Sequence, residues 1–239
     1  MKKSKKVLIT SGCSFSETIK EKTWPLWLEE KLDLKTGIHT GLGCQGNGMI
    51  ARKAIHSVHE VLKYTNANDI TVGIMWSGPN RHEQYSMHDP SFVSKNIDGW
   101  QINPVSFVNN DRAGWIIYNG NWKIREAKNY YRYIYDVVYS QILTLENIIR
   151  VQNYLKLHSV KYFMSVYMDE VLKFRDNPNL DHLYEQIDFN QFLPVEGEYE
   201  WCRDNTSFKF NKHDMHPTDE MHEAFTNQVI MPFLNRQDN

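Results

Sequence analysis

Cysteine is scarce in this sequence of 239 residues. Cys13, Cys44 and Cys202 are odd in number, lie far apart and form no C-x-x-C pair. That pattern excludes a disulfide framework and a cysteine zinc site. Long apolar runs are also missing, and none is of the length needed to span a bilayer. The basic opening, MKKSKK, is like the start of a secretory leader. The apolar run after it, Val7 to Thr10, is too short for a leader core and enters Gly12-Cys13-Ser14 at once. The expectation is a protein that stays in the reducing cytoplasm. Excess charge of either sign is absent, with 27 basic against 29 acidic residues and a net charge of −2. Nothing electrostatic therefore points to a nucleic-acid or membrane partner. Internal repeats, low-complexity tracts and linkers are absent too, so residues 1–239 read as one domain. What is present is 41% hydrophobic and 23% charged residues, enough for an ordinary globular fold with a sizeable core.

The chain is organised around Lys6–Ser16, KVLITSGCSFS. Val7-Leu8-Ile9-Thr10 is a short β-prone run ended by glycine, which predicts a buried strand and a sharp turn. Ligands of open α/β sheets bind at the carboxyl ends of strands, so Ser14 stands where nucleophilic chemistry is done. The same residues also suit a plain turn. A second strand is predicted at Asp69–Trp76, ending in the polar stretch Ser77-Gly78-Pro79-Asn80-Arg81. Lys161–Tyr167 reads as a third. Helices are predicted at Thr23–Leu32, at Met49–Tyr64 and, from a long 3.6-residue period, at Tyr130–Leu157. Another is predicted around Leu180–Phe192, within residues 168–207 whose pattern is hard to read. A last helix follows Thr218. Thr23 and Thr218 stand at cap positions. The alternation of strand and helix argues for a parallel sheet.

Residues 85–129 break this rhythm. They hold Trp100, Trp115 and Trp122 among Asn, Asp, Gly and Pro, and read as an insertion covering one sheet edge. These aromatics, with Arg81, are candidates for stacking on or holding a substrate, or else they pack the insertion's own core. The glycine-rich run Gly41 to Gly48 opens a helix and suits an anionic group. It contains G-x-G-x-x-G, but without the acidic residue that completes a dinucleotide site.

Three requirements of serine catalysis have candidates here. Ser14 is the candidate nucleophile and His216 the base, with Asp214 close enough in sequence to orient it. The N–H groups of Ser14 and Gly46, with the Asn80 amide, are candidate oxyanion donors. Cys13 is an alternative nucleophile. His213, Asp214, His216 and His222 are an alternative metal cluster, although their spacing fits no compact ligand pattern.

The same residues carry a resemblance. Gly12-Cys13-Ser14, Gly46-Asn47, Gly78-Pro79-Asn80 and Asp214-Met215-His216-Pro217 resemble, in order, the four blocks of the SGNH or GDSL hydrolase superfamily. The GCSFS form is similar to variants in bacteriophage genomes. Three departures stand out: Cys13 replaces the usual Asp, Asp214 precedes His216 by two residues instead of three, and Arg81 follows Asn80 where an Asp is common, so that the third block could align at Ser77 instead. The resemblance implies a three-layer α/β/α sandwich with a flavodoxin-like parallel sheet. It implies ester hydrolysis through an acyl-Ser14 intermediate without metal or cofactor, with Ser14, Asp214 and His216 as the triad. A small O-acyl group on a carbohydrate is the expected substrate. An O-acyltransferase, or a non-catalytic carbohydrate-binding or structural module, is the alternative.

Overall fold

A computed structural model describes residues 6–19, 21–34, 36–86, 114–118, 125–212 and 214–237. Strand β1, Val7–Ser11, is buried along its whole length. The 3₁₀ turn Ser14–Ser16 follows it, and then helix α1, Trp24–Lys31, with Pro25 in the first turn. There the missing N–H of proline costs nothing. Strand β2, Gly37–His39, leads to helix α2, Asn47–Leu62, and strand β3, Ile70–Trp76. Strands β4, His82–Ser86, and β5, Gly114–Tyr118, pair antiparallel as a separate two-stranded sheet. Helices α3, Arg125–Tyr133, and α4, Val137–Leu157, precede strand β6, Lys161–Val166. Two short helices follow, α5 (Asp181–Tyr184) and α6 (Glu198–Asn205). The last helix, α7, Asp219–Phe225, passes through a π turn, Thr226–Ile230, into α8, Met231–Gln237.

The main sheet is parallel, in the order β2-β1-β3-β6. That is the flavodoxin-like order, with the place of a fifth strand taken by a single parallel bridge from Met164 to Phe192. Helices cover both faces. On one, Ser11 Oγ donates to the Ile50 carbonyl of α2, and α4 packs on α2. On the other, Gly73 leaves room for Trp24 of α1, whose ring meets Phe163 at 5.8 Å. Trp27 Nε1 donates to the Asp219 carbonyl and fixes α1 against α7. The fold is therefore a parallel α/β sandwich, as the strand–helix alternation and the family resemblance predict.

Local differences from the sequence reading have physical reasons. The helix expected over Tyr130–Leu157 is two helices. Asp136 leaves the helical conformation and accepts from the Tyr139 N–H at 2.8 Å, capping a new start. The apolar period runs across this break and hides it. The helix expected around Leu180–Phe192 is instead α5 between two 3₁₀ turns, with Asn177 and Asp188 capping those turns. Side chains of this type compete with helix continuation. Helix α6 was not foreseen, because its buried face includes Glu198 and Glu200. Thr23 and Thr218 hold the cap positions without a side-chain cap bond, and Thr23 Oγ1 donates to the Glu17 carbonyl.

Candidate active site

Close contacts shape the turn after β1. A Cβ on Gly12 would collide with the Ser16 side chain, and one on Gly41 would collide with the Ser16 backbone. Ser16 Oγ accepts from Trp24 Nε1 at 2.9 Å. Gln45, fully buried, donates to the Gly12 carbonyl at 2.8 Å, and the Leu42 N–H donates to the same oxygen. The turn is thus locked from below, with Cys13 and Phe15 buried and Ser14 half-buried. This separates the two candidate nucleophiles: the Cys13 thiol faces the interior.

Ser14 Oγ lies 2.7 Å from His216 Nε2. His216 belongs to a tight loop before α7, in which Met215 adopts φ +60°. A side chain with Cβ adopts that conformation only when its surroundings impose it. Here Met215 N–H donates to the Asn211 carbonyl, and Asn211 N–H donates to the His216 carbonyl. The bend brings Asp214 back over its own loop. Asp214 Oδ1 accepts from the His216 backbone N–H at 3.2 Å and lies 3.0 Å from Nδ1 of the ring. The ring nitrogen is close to the carboxylate but off a hydrogen-bonding line. The ring of Phe15 packs against His216 at 5.0 Å between centroids.

The structure thus brings Ser14, His216 and Asp214 together. The other candidates stand as follows. Gly46 is the cap residue of α2. Burial pushes the Glu83 carboxyl up from its ordinary range, while Arg52 and the N–H groups of Met49 and Gly46 oppose that rise. Gly46 thus lies beside the Glu83 carboxyl. Asn80 is exposed on the turn after β3, with Oδ1 folded toward Gly78 and its carbonyl accepting from the Tyr131 hydroxyl at 2.6 Å. Arg81 donates to the Gln45 carbonyl, faces the Tyr167 ring and lies beside Cys13. It forms part of the wall around Cys13, the residue before Ser14. Trp115 lies on β5, its backbone paired with Tyr85. Trp100, Trp122 and His213 lie outside the described residues. At the base of the insertion, His82 stacks on Tyr130 at 4.1 Å, with Tyr118 parallel beyond it. Among the described residues, no cluster of His, Cys, Asp or Glu is arranged to hold a metal ion.

Two features escaped the sequence reading. Asn47, buried at the start of α2, donates to the Ser77 carbonyl at 2.8 Å and accepts from the Ser77 N–H at 2.7 Å. It clasps the loop after β3 to the loop before α2. Its signal in the sequence is its place directly after Gly46. The second feature is the buried pair Glu198 and His222, with Nδ1 2.6 Å from Oε1. In the sequence His222 stands only as a member of the alternative metal cluster, and Glu198 lies in the stretch without a readable pattern.

A cavity of about 400 Å³ opens beside this wall, lined by Asn47, Arg81, His82, Glu83 and Tyr130 among others. A larger one, about 630 Å³, lies beyond the end of β6 and shares no residue with the Ser14 pair. Ser14 lines neither of these cavities.

A scan against protein-family models finds none that matches, and a search of curated proteins likewise finds no match. Solved structures do show likenesses. The chain is similar to a protein of the G-D-S-L family, described as lipolytic, from Desulfitobacterium hafniense DCB-2, with 11% identity, TM-score 0.49, and 97% of this chain and 98% of that one covered. It is similar to a member of the lipolytic protein G-D-S-L family from Veillonella parvula DSM 2008, with 7% identity, TM-score 0.45, and coverage of 92% and 94%. It is also similar to AlinE4, an SGNH-hydrolase family esterase, with 13% identity, TM-score 0.43, and 95% of each chain covered.

Proposed function

We propose that the protein is a serine ester hydrolase of the SGNH type that removes a small acyl group through an acyl-Ser14 intermediate. The observation that carries this reading is the 2.7 Å approach of Ser14 Oγ to His216 Nε2. It occurs at the carboxyl edge of a parallel sheet, beside the point where the strand order reverses, which is where such sheets bind ligands. A nucleophile and base within hydrogen-bond reach are the signature of an activated serine.

In this reading, Ser14 Oγ attacks the acyl carbon while its proton passes to His216 Nε2. The alcohol leaves with that proton. Water then attacks the acyl-Ser14 ester, again giving its proton to His216, which returns it to Ser14 as the acid departs. The Ser14 N–H, at the start of its 3₁₀ turn, lacks a partner within that turn and is the donor best placed for the oxyanion. The Gly46 N–H, beside the Glu83 carboxyl, is a further candidate donor, and the Asn80 amide joins it only if its side chain turns from Gly78. An O-acyl group on a carbohydrate is the favoured substrate, because a half-buried serine reaches an acyl group carried on a large alcohol. No metal or cofactor takes part in this scheme.

The test is a fluorophosphonate probe with the adduct located by peptide mass spectrometry. An adduct on Ser14 that His216→Ala abolishes supports the reading. A folded protein that takes no adduct overturns it.

A further inference from the structure

Helices α2 and α4 pack together, and Arg52 of the first and Arg150 of the second line two cavities at once. One is the hollow of about 400 Å³ beside Arg81. The other, of about 310 Å³, is bounded by Ile55, His56 and His59 of α2 besides the two arginines, and no carboxylate among the described residues lines it. The serine chemistry above uses neither arginine.

Positive charge is crowded here. Burial and then the Arg52 guanidinium lower the pKa of Arg150, with Glu83 opposing. Burial and then Arg52 lower His82 in the same way. The acid set against Arg52 is Glu83, whose Oε2 lies 3.1 Å from Arg52 Nη2. Burial raises the Glu83 carboxyl from its ordinary range, which weakens it as a counter-charge. The first cavity sets three guanidiniums, Arg52, Arg81 and Arg150, against two carboxylates, Glu83 and Glu146. Arg150 is steadied by Asn147 Oδ1, one turn back on its helix, at 2.7 Å. A guanidinium carries five N–H donors in a planar fork, so that bond leaves an edge of Arg150 for the two oxygens of an anion.

The kind of anion is limited by shape and lining. The net charge of the chain is −2, and this basic cluster is local and enclosed, unlike the broad basic face of a nucleic-acid binder. Apart from Gly48, Pro79 and Leu143, every residue lining the first cavity is polar. A small hydrophilic molecule suits such walls, and an acyl chain does not.

We propose that Arg52 and Arg150 hold the anionic group, a carboxylate or a phosphate, of a small hydrophilic ligand whose body occupies the first cavity. Ser14 lines neither cavity, so binding there stands or falls apart from the serine-hydrolase reading. Arg81 connects the two places, because it lines the first cavity and lies beside Cys13.

The test is isothermal titration calorimetry of the full chain with glucuronate, glucose 6-phosphate and neutral glucose. At least one charged sugar should bind about tenfold or more tighter than glucose, and its binding should weaken as salt is raised. The tighter of the two charged sugars tells carboxylate from phosphate. Arg150→Gln should weaken the charged sugar about tenfold, and Arg150→Lys, which keeps the charge but not the fork, should recover part of the loss. Arg52→Gln should weaken it as well. If that variant fails to fold because Glu83 loses its partner, Arg150→Gln decides, since Arg150 is exposed. Saturable binding of neither charged sugar to folded wild type overturns the proposal. Equal affinity for glucose, or unchanged affinity in Arg150→Gln, overturns it too. Binding needs no ester bond. A protein that binds a charged sugar but takes no fluorophosphonate refutes the serine reading alone, and one that is labelled but binds neither refutes the anion site alone.

Discussion

Asn47 and Ser77 exchange two hydrogen bonds, carbonyl to amide and amide to carbonyl, at 2.8 and 2.7 Å. A side-chain amide here imitates a backbone ladder, joining α2 to the end of β3 where no strand can. Asn47 Nδ2 also reaches Thr144 Oγ1 of α4 at 3.1 Å. Asn47→Ala strands two buried Ser77 backbone groups and should lower stability by about 2–6 kcal/mol, since each stranded group costs about 1–3. Urea unfolding checks this. Asn47→Asp keeps the acceptor but sets a buried carboxylate oxygen against the Ser77 carbonyl, and should cost at least as much at pH 7.

Ser14→Ala should abolish fluorophosphonate labelling and leave stability within about 1 kcal/mol, as small polar changes away from the core do. Labelling that persists, on Ser14's neighbour Cys13 or elsewhere, would refute the assignment of the nucleophile. Thermal unfolding of the same variant checks the stability half.

His216→Ala should remove labelling entirely, whereas Asp214→Asn should leave it within about tenfold of wild type. The difference follows from geometry, because only His216 touches Ser14 and Asp214 stands off the line of the ring N–H. Equal losses in the two variants would make Asp214 a full member of a triad.

Gly12→Ala should destabilise the protein and disrupt the Ser14 turn. The new methyl group meets Ser16 Oγ and Cβ and stands 3.1 Å from the Met75 carbonyl. Overpacking of this kind costs about 1–3 kcal/mol. Labelling should fall by more than the unfolded fraction accounts for, which separates a displaced Ser14 from simple unfolding.

Lys53 gives a pH-dependent prediction. Its side chain is buried on α2, with Nζ 3.2 Å from the Thr40 carbonyl, and burial lowers its pKa from 10.5 to about 8. The unfolded chain therefore binds more protons between pH 8 and 10.5, and stability rises with pH across that window. Below pH 8 the full penalty is present. Lys53→Met should stabilise the protein at pH 7 by about 1–3 kcal/mol, and the gain should shrink as pH approaches 10.5. Urea unfolding at pH 7 and near pH 10 measures it, and a gain independent of pH would refute the cause.

Legibility in the sequence followed burial. Strands β1 and β3 were readable because they are almost wholly buried and so almost wholly apolar. Asp136 ends one helix and starts the next with a single side-chain bond, inside a period that continues on either side. Glu198 and Glu200 put carboxylates on the buried face of α6, so its pattern looks solvated. His222 looks like any polar residue of a terminal helix until Glu198, from another helix, is placed against it. Ser14 and His216 could be singled out because each stands in a turn-rich stretch. Their separation of 2.7 Å is a property of the whole sandwich and of neither stretch.

That pairing spans 202 positions of chain, and this has a kinetic consequence. A contact so distant along the polypeptide closes only after the intervening strands and helices have condensed. During synthesis, Ser14 emerges 202 residues before His216. On the proposed reading, a chain that ends before His216, however well its first strands have formed, should be inert toward the probe. If Ser14 is reactive as proposed, the appearance of that reactivity would be a clock for the docking of the loop that carries His216, and it would time this step in a refolding experiment.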